Sequence, residues 1–124
     1  MIIGIDIGGT TTDIAGLEEG RIHNPVSVKA SDPVASAAGA LGKFVEINSL
    51  SLSDIEYIAA TGVGSGQIKD SLLGIAVQKV DEFDSIGIAG ARLTGLTMAI
   101  VVSMGTRTAI VYIDGEEISH WGGS

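Results

Sequence analysis

Near its start the chain carries Asp6-Ile7-Gly8-Gly9-Thr10-Thr11-Thr12-Asp13. Two adjacent glycines let the backbone turn tightly and approach a ligand without side-chain obstruction. Successive amide N–H groups, with the hydroxyls of Thr10 and Thr11, then form a concavity for an anion. Asp6, at the end of an apolar run, is placed to hold Mg²⁺ directly or through water and so admit a nucleotide to an acidic protein. The competing reading is an ordinary Gly-Gly hairpin beside a solvated aspartate; the local residues favour phosphate binding. No Gly-Lys-Ser/Thr follows, so the motif is not a Walker loop.

A second turn, Ser103-Met104-Gly105-Thr106-Arg107-Thr108, repeats this chemistry with one glycine and two threonines. With the first, it suggests two hairpins gripping a polyphosphate from opposite sides. Gly62-Val63-Gly64-Ser65-Gly66 offers a third set of backbone donors, with a flexible connection as an equal alternative. Its glycine spacing does not make a dinucleotide fingerprint. Asp81-Glu82-Phe83-Asp84 stands after a strand and before a helix. A carboxylate there can take a proton from a hydroxyl attacking a γ-phosphate, although capping of the helix by its acids is the slightly better reading of the residues alone. His23 and His120 have no ligand partners at metal spacing; His23 reads as a surface or strand-edge residue, and Trp121 as packing apolar surface.

These residues need elements to position them. Ile2–Ile7 and residues 11–17 read as strands around Gly8-Gly9, and Glu18-Glu19-Gly20 as a hairpin tip leading into Arg21–Lys29. Ser31-Asp32-Pro33 starts a helix whose core face is Val34, Ala37, Ala38, Leu41, Phe44 and Val45. Residues 55–61 form a buried strand, 67–73 a short helix, 75–80 a strand and 83–96 a helix weakened by Gly87, Gly90 and Gly95. Met98–Met104 is almost wholly apolar, as in a strand covered on both faces. Residues 108–113 run back from it, and Asp114-Gly115 turns the chain into a last strand at 118–121. The order is βββ-α-β-α-β-α followed by three strands. The opening strand–Gly–Thr–strand pattern returns at residues 98–113, a duplicated architecture whose second copy has only begun.

Composition narrows the partners. The 124 residues include seven Lys and Arg against fifteen Asp and Glu, a formal charge of −8. Nucleic-acid binding needs a positive footprint that this chain lacks. The sequence contains no cysteine, which removes disulfides, thiol nucleophiles and thiolate metal sites. Mean hydropathy is +0.42, yet no run reaches the ~18 apolar residues of a spanning helix. The chain is expected to be cytoplasmic, with no membrane association.

Residues 6–10, 60–66, 80–90 and 101–123 together resemble the acetate and sugar kinase/Hsp70/actin superfamily, and within it the type II pantothenate kinases. The resemblance is carried by Ile5-Asp6-Ile7-Gly8-Gly9-Thr10, by Val80-Asp81-Glu82-Phe83-Asp84, and by Val102-Ser103-Met104-Gly105-Thr106-Arg107-Thr108 ahead of Asp114-Gly115 and Trp121-Gly122-Gly123. It covers the whole chain but only about the first half of the family's length. It implies an α/β, RNase H-like (actin-like ATPase) lobe with a three-stranded antiparallel meander, over residues 1–96. The opening strands of an incomplete second lobe follow over 97–124.

The resemblance also implies ATP and Mg²⁺ in a cleft between two lobes and phosphorylation of a pantothenate hydroxyl on the way to coenzyme A. Glu82 matches the family's general base, and Asp6 its metal- and phosphate-positioning aspartate. Gly8, Gly9 and Thr10 match the first phosphate loop, which Thr11 extends. Gly105, Thr106 and Thr108 match the second, where Arg107 replaces a usual glycine. Asp13 stands where such kinases often carry lysine, and the resulting Gly-Gly-Thr-Thr-Thr-Asp also resembles hydantoinase/oxoprolinase ATPases. Ser119-His120 occupies the place of a substrate-contacting arginine. The isolated chain is expected to have little kinase activity, and its apolar strands to support a homodimer. The alternatives are a nucleotide-binding or assembly module without catalysis, or a hydantoinase-type ATPase subunit.

Overall fold

A computed structural model describes residues 1–105 and 107–121. Thr106 of the second expected phosphate turn, and Gly122-Gly123-Ser124, lie outside the described residues. The chain divides into two compact units, Met1–Lys79 and Val80–Ser124. That division differs in place from the lobe boundary expected after residue 96, which refers to the lobes of a complete kinase.

In the first unit β1 (Ile2–Ile7), β2 (Thr11–Glu18) and β3 (Arg21–Lys29) form the expected antiparallel meander. The tip between β2 and β3 has positive φ at Glu19 (51°) and Gly20 (75°), the mirror-image turn that suits a right-twisted hairpin. Helix α1 (Pro33–Ile47) begins where Asp32 accepts a hydrogen bond from the Ala35 amide at 2.9 Å, with proline supplying a pre-set first turn. Strand β4 (Tyr57–Thr61) then runs parallel to β1. Beyond it come the short β5 (Ser71–Leu72) and β6 (Ile75–Lys79), giving the sheet order β3-β2-β1-β4-β6-β5.

Alternation sends Ile3, Ile5 and Ile7 of β1 and Ile14 of β2 to one face, where they are buried with Ala37, Ala40, Leu41 and Phe44 of α1. Gly16 admits the Phe44 ring, since a Cβ there would lie 2.8 Å from Phe44 Cζ. Ala40 belongs to this face and Val34 does not. Val34 is 44% exposed and lies in the first helical turn, where it lines a shallow cleft with Ile68 and Leu72.

Two expectations between β4 and β6 are corrected. Residues 67–73 are not a helix: a 3-10 turn at Ser65–Gln67 leads into β5. Leu73 (φ 50°) and Gly74 (φ 82°) then reverse the chain into β6. The strand expected from residue 55 starts at Tyr57, because a 3-10 turn at Leu52–Asp54 ends on Ile55.

The second unit comprises α2 (Glu82–Thr94) and a sheet of β7 (Met98–Met104), β8 (Thr108–Asp114) and β9 (Glu117–Trp121) in the order β7-β8-β9. The helical glycines are packing positions. A Cβ at Gly87 would lie 2.9 Å from Ile118 Cγ2, and one at Gly90 2.6 Å from Val101 Cγ2. Gly95 ends the helix in the left-handed conformation, φ 74°.

Among the described residues β7 is covered on one face only, not on both as expected. Ala99, Val101 and Ser103 are half-buried, while Met98, Ile100, Val102 and Met104 are 61, 59, 49 and 81% exposed. Aligning Gly8 with Gly105 along the sequence sets Ile3, Ile5 and Ile7 against Ile100, Val102 and Met104. The face that α1 covers in the first unit is therefore the open face of the second.

Candidate functional site

Asp6 is the penultimate residue of β1, half-buried, paired with Thr61 of parallel β4 on one side and with Asp13 of β2 on the other. Paired residues share a face, so Asp6, Asp13 and Thr61 all point away from α1. Past β1, the Gly8 amide donates to Thr11 O at 3.0 Å, and the Ala30 amide donates to Thr10 O at 2.9 Å. A side chain at Gly8 would meet Thr11 O at 2.8 Å, whereas nothing lies within 4 Å of a Cβ at Gly9. Gly8 thus closes the turn, while Gly9 and Thr10 are exposed. Thr11 donates its hydroxyl proton to Asp13 Oδ2 at 3.2 Å, and Ser27 donates to Asp13 Oδ1 at 2.6 Å.

The third glycine-rich segment packs directly beneath this turn. The Gly64 amide donates to Ile7 O at 2.9 Å. Gly62 has φ +95°, and a Cβ there would press on Asp6 Oδ1 and lie 2.6 Å from Ile7 O. The amides of Gly64, Ser65 and Gln67 are all given to backbone carbonyls, and Ser65 Oγ donates to Gly62 O at 2.7 Å. Residues 62–67 therefore buttress Asp6 and the first turn rather than offering these amides to an anion.

In the second unit Asp81 caps α2, accepting from the Asp84 amide at 2.9 Å, with Ser85 Oγ donating to Asp81 O at 2.7 Å. Asp81 thus caps the helix directly, and Glu82 and Asp84 lie exposed in its first turn, where the helix macrodipole favours acids. Phe83 stacks on His120 with ring centroids 3.8 Å apart and planes 8° from parallel. His120 is the penultimate residue of β9, next to Trp121, which pairs with Ile110 near the start of β8. The stack ties the Glu82 end of α2 to the end of β9 that lies toward Gly105, Arg107 and Thr108. Trp121 packs loosely on Tyr112, centroids 6.0 Å apart, and is 55% exposed.

Among the described residues no three His, Cys, Asp or Glu side chains are grouped to hold a metal. Asp6, beside the glycine turn and across the strands from Asp13, is of the donor type that suits Mg²⁺, which is commonly held by one or two carboxylates plus nucleotide phosphates and waters. No helix of the described residues is long and apolar enough to cross a membrane.

No protein-family model matches the sequence, and a sequence search of curated proteins finds no match. Solved structures do match. Component A of (R)-2-hydroxyglutaryl-CoA dehydratase from Acidaminococcus fermentans superposes with a TM-score of 0.76 at 19% identity, over 95% of this chain and 44% of that one. The activator of 2-hydroxyisocaproyl-CoA dehydratase from Clostridium difficile, with bound ADPNP, gives 0.75 at 17% identity, over 96% and 44%. A ROK family glucokinase from Streptomyces griseus, in complex with glucose and AMPPNP, gives 0.70 at 16% identity, over 98% and 47%. The chain has the actin-like ATPase fold, and it spans less than half the length of these three proteins.

Proposed function

We propose that this chain is the ATP-binding portion of a small-molecule kinase of the actin-like ATPase fold, with pantothenate or a similar hydroxy acid as acceptor. The observation that carries the reading is the junction of β1 and β4. There Asp6, the open Gly9-Thr10 turn and the sterically required Gly62 and Gly64 meet at the carboxyl ends of two parallel strands, where open α/β sheets bind ligands. In this reading residues 8–11 receive the phosphates and Asp6 holds Mg²⁺. Held there, the cation would offset the negative charge of the nucleotide, as in phosphoryl transfer generally. Gly105, Thr106, Arg107 and Thr108 supply the second phosphate turn, and Glu82 takes the acceptor proton. The choice of pantothenate rests on the sequence resemblance; binding of ATP analogues by two proteins of the same fold supports the nucleotide.

Amide hydrogen exchange with ATP–Mg²⁺ tests the assignment. Protection is expected at residues 9–11 and 105–108. Glu82→Gln is expected to leave that protection unchanged while abolishing any transfer to pantothenate in a protein that carries both lobes. Protection confined to other segments, or unchanged transfer in Glu82→Gln, contradicts it.

Asp13 favours a second reading, a nucleotide-binding module that does not transfer phosphate. Its carboxylate, held by Thr11 and Ser27, puts negative charge where the resembling kinases often carry lysine. Nucleotide binding with no transfer to any hydroxy acid in a two-lobed protein would select it.

A further inference from the structure

Four polar side chains of β2 and β3 stand together beside the first turn. The strand register pairs Thr11 with Lys29 and Asp13 with Ser27. Alternation along the strands sends all four to the face away from α1, opposite the buried Thr12, Ile14 and Val26. Two hydroxyls share one carboxylate: Ser27 donates to Asp13 Oδ1 at 2.6 Å, and Thr11 donates to Asp13 Oδ2 at 3.2 Å. The Ser27 bond joins β2 to β3, whereas the Thr11 bond runs within β2 and adds no cross-strand tie. A hydroxyl within hydrogen-bond reach of a base, with the base oriented by a third group, is the arrangement that activates a side-chain nucleophile. Thr11 also belongs to the turn itself, since its carbonyl accepts the Gly8 amide at 3.0 Å.

We infer that Thr11 is a phosphorylation site of this chain, modified in place by the terminal phosphoryl group of a nucleoside triphosphate received at residues 8–11. The inference rests on the nucleotide assignment proposed above and is independent of Glu82 and of the acceptor. Thr11 Oγ attacks the terminal phosphorus and its proton passes to Asp13 Oδ2. The bond from that phosphorus to the bridging oxygen breaks, and the nucleoside diphosphate departs. Ser27 holds the other carboxylate oxygen, which leaves Oδ2 to Thr11. Lys29, the cross-strand neighbour of Thr11, supplies a cation for the transferred group. The phosphothreonine carries a charge of about −1.5 to −2 at the turn that receives phosphates, so a single turnover closes the site to fresh nucleotide.

Intact-mass spectrometry of the purified chain incubated with ATP–Mg²⁺ tests the site. A gain of one phosphate per chain is expected, placed on Thr11 by fragmentation, at a rate independent of chain concentration. Thr11→Val should abolish the gain and Thr11→Ser should restore it. Asp13→Asn should slow it roughly a hundredfold or more, and Ser27→Ala and Lys29→Met by smaller factors, with circular dichroism reporting that every variant is folded. Phosphorylated chain should bind the non-hydrolysable analogue ADPNP at least tenfold more weakly than untreated chain; equal affinity overturns the closure. Calorimetry of untreated chain with ADPNP–Mg²⁺ separates the two levels of the argument. Saturable binding with no phosphate gained overturns the Thr11 site and leaves the nucleotide assignment standing, whereas absence of binding removes both. Phosphate on Thr10 or Ser27, a rate proportional to chain concentration, or an undiminished rate in Asp13→Asn also overturns the site.

Discussion

Replacing Gly62 by alanine tests whether the loop after β4 is fitted to Asp6. The residue has φ +95°, and forcing an L side chain into positive φ costs about 1–2 kcal/mol. The added Cβ would also sit 2.6 Å from Ile7 O and 2.8 Å from Ile7 C. Those atoms belong to β1 backbone and cannot rotate away as a flexible side chain would. Overpacking of this kind costs about 1–3 kcal/mol, so the expected loss is about 2–5 kcal/mol. In urea, at a slope of ~2 kcal/mol/M for a small protein, the midpoint should fall by roughly 1–2.5 M. Gly66 is the internal control. It lies in the same loop, nothing is within 4 Å of its Cβ position and its φ is not positive, so Gly66→Ala should stay within about 0.5 kcal/mol of the parent. Because the Gly62 methyl would press on Asp6 Oδ1, the first variant should also weaken ATP–Mg²⁺ binding and the second should not. Equal midpoints for Gly62→Ala and the parent, or equal damage from Gly66→Ala, would refute the claim that the loop is built around Asp6.

Other residues give sharp expectations. Thr12 is fully buried and its hydroxyl has no hydrogen-bond partner among the described residues; Thr12→Val should raise stability by about 1 kcal/mol in denaturant titrations, since an orphaned polar group costs about 1–3 kcal/mol. Asp32→Ala removes the cap of α1 and should cost about 1 kcal/mol, while Asp32→Asn should recover most of it in the same measurement. Phe44 is fully buried beneath Gly16, so Phe44→Ala should cost about 3–5 kcal/mol. Leu93→Ala, at a side chain 75% exposed, should change the thermal midpoint little.

The sequence was informative where local chemistry and tertiary packing agree. The bounds of β1, β3 and β7 are as expected because glycine turns or charged tips end each run, and α1 starts at Asp32-Pro33 because a cap and a fixed φ act together. The hairpin of β5 and β6 was not legible. It turns on Leu73 at φ 50°, a conformation that leucine does not advertise, so the apolar residues around it read as helix. The open face of β7 was also hidden. A run with Ser103 as its one polar residue looks doubly covered, and only the register with β8 and the position of α2 reveal which side lacks a partner. At the site, Gly8 and Gly9 were evident, but their division of labour was not: one closes the turn and the other stays open. The buttressing by Gly62 and Gly64 depends on the parallel pairing of β1 with β4, a contact between residues about fifty positions apart along the chain.

The central claim is that Asp6 and residues 8–11 receive a nucleotide's phosphates with Mg²⁺. Calorimetric titration of the chain with ATP in the presence and absence of Mg²⁺, alongside Asp6→Asn and an adenosine control, tests it most directly. Saturable binding of ATP that requires Mg²⁺, is lost or weakened at least tenfold in Asp6→Asn, and is absent with adenosine is the predicted result. Binding that is indifferent to Mg²⁺ and to Asp6→Asn, or equal affinity for adenosine, contradicts the account.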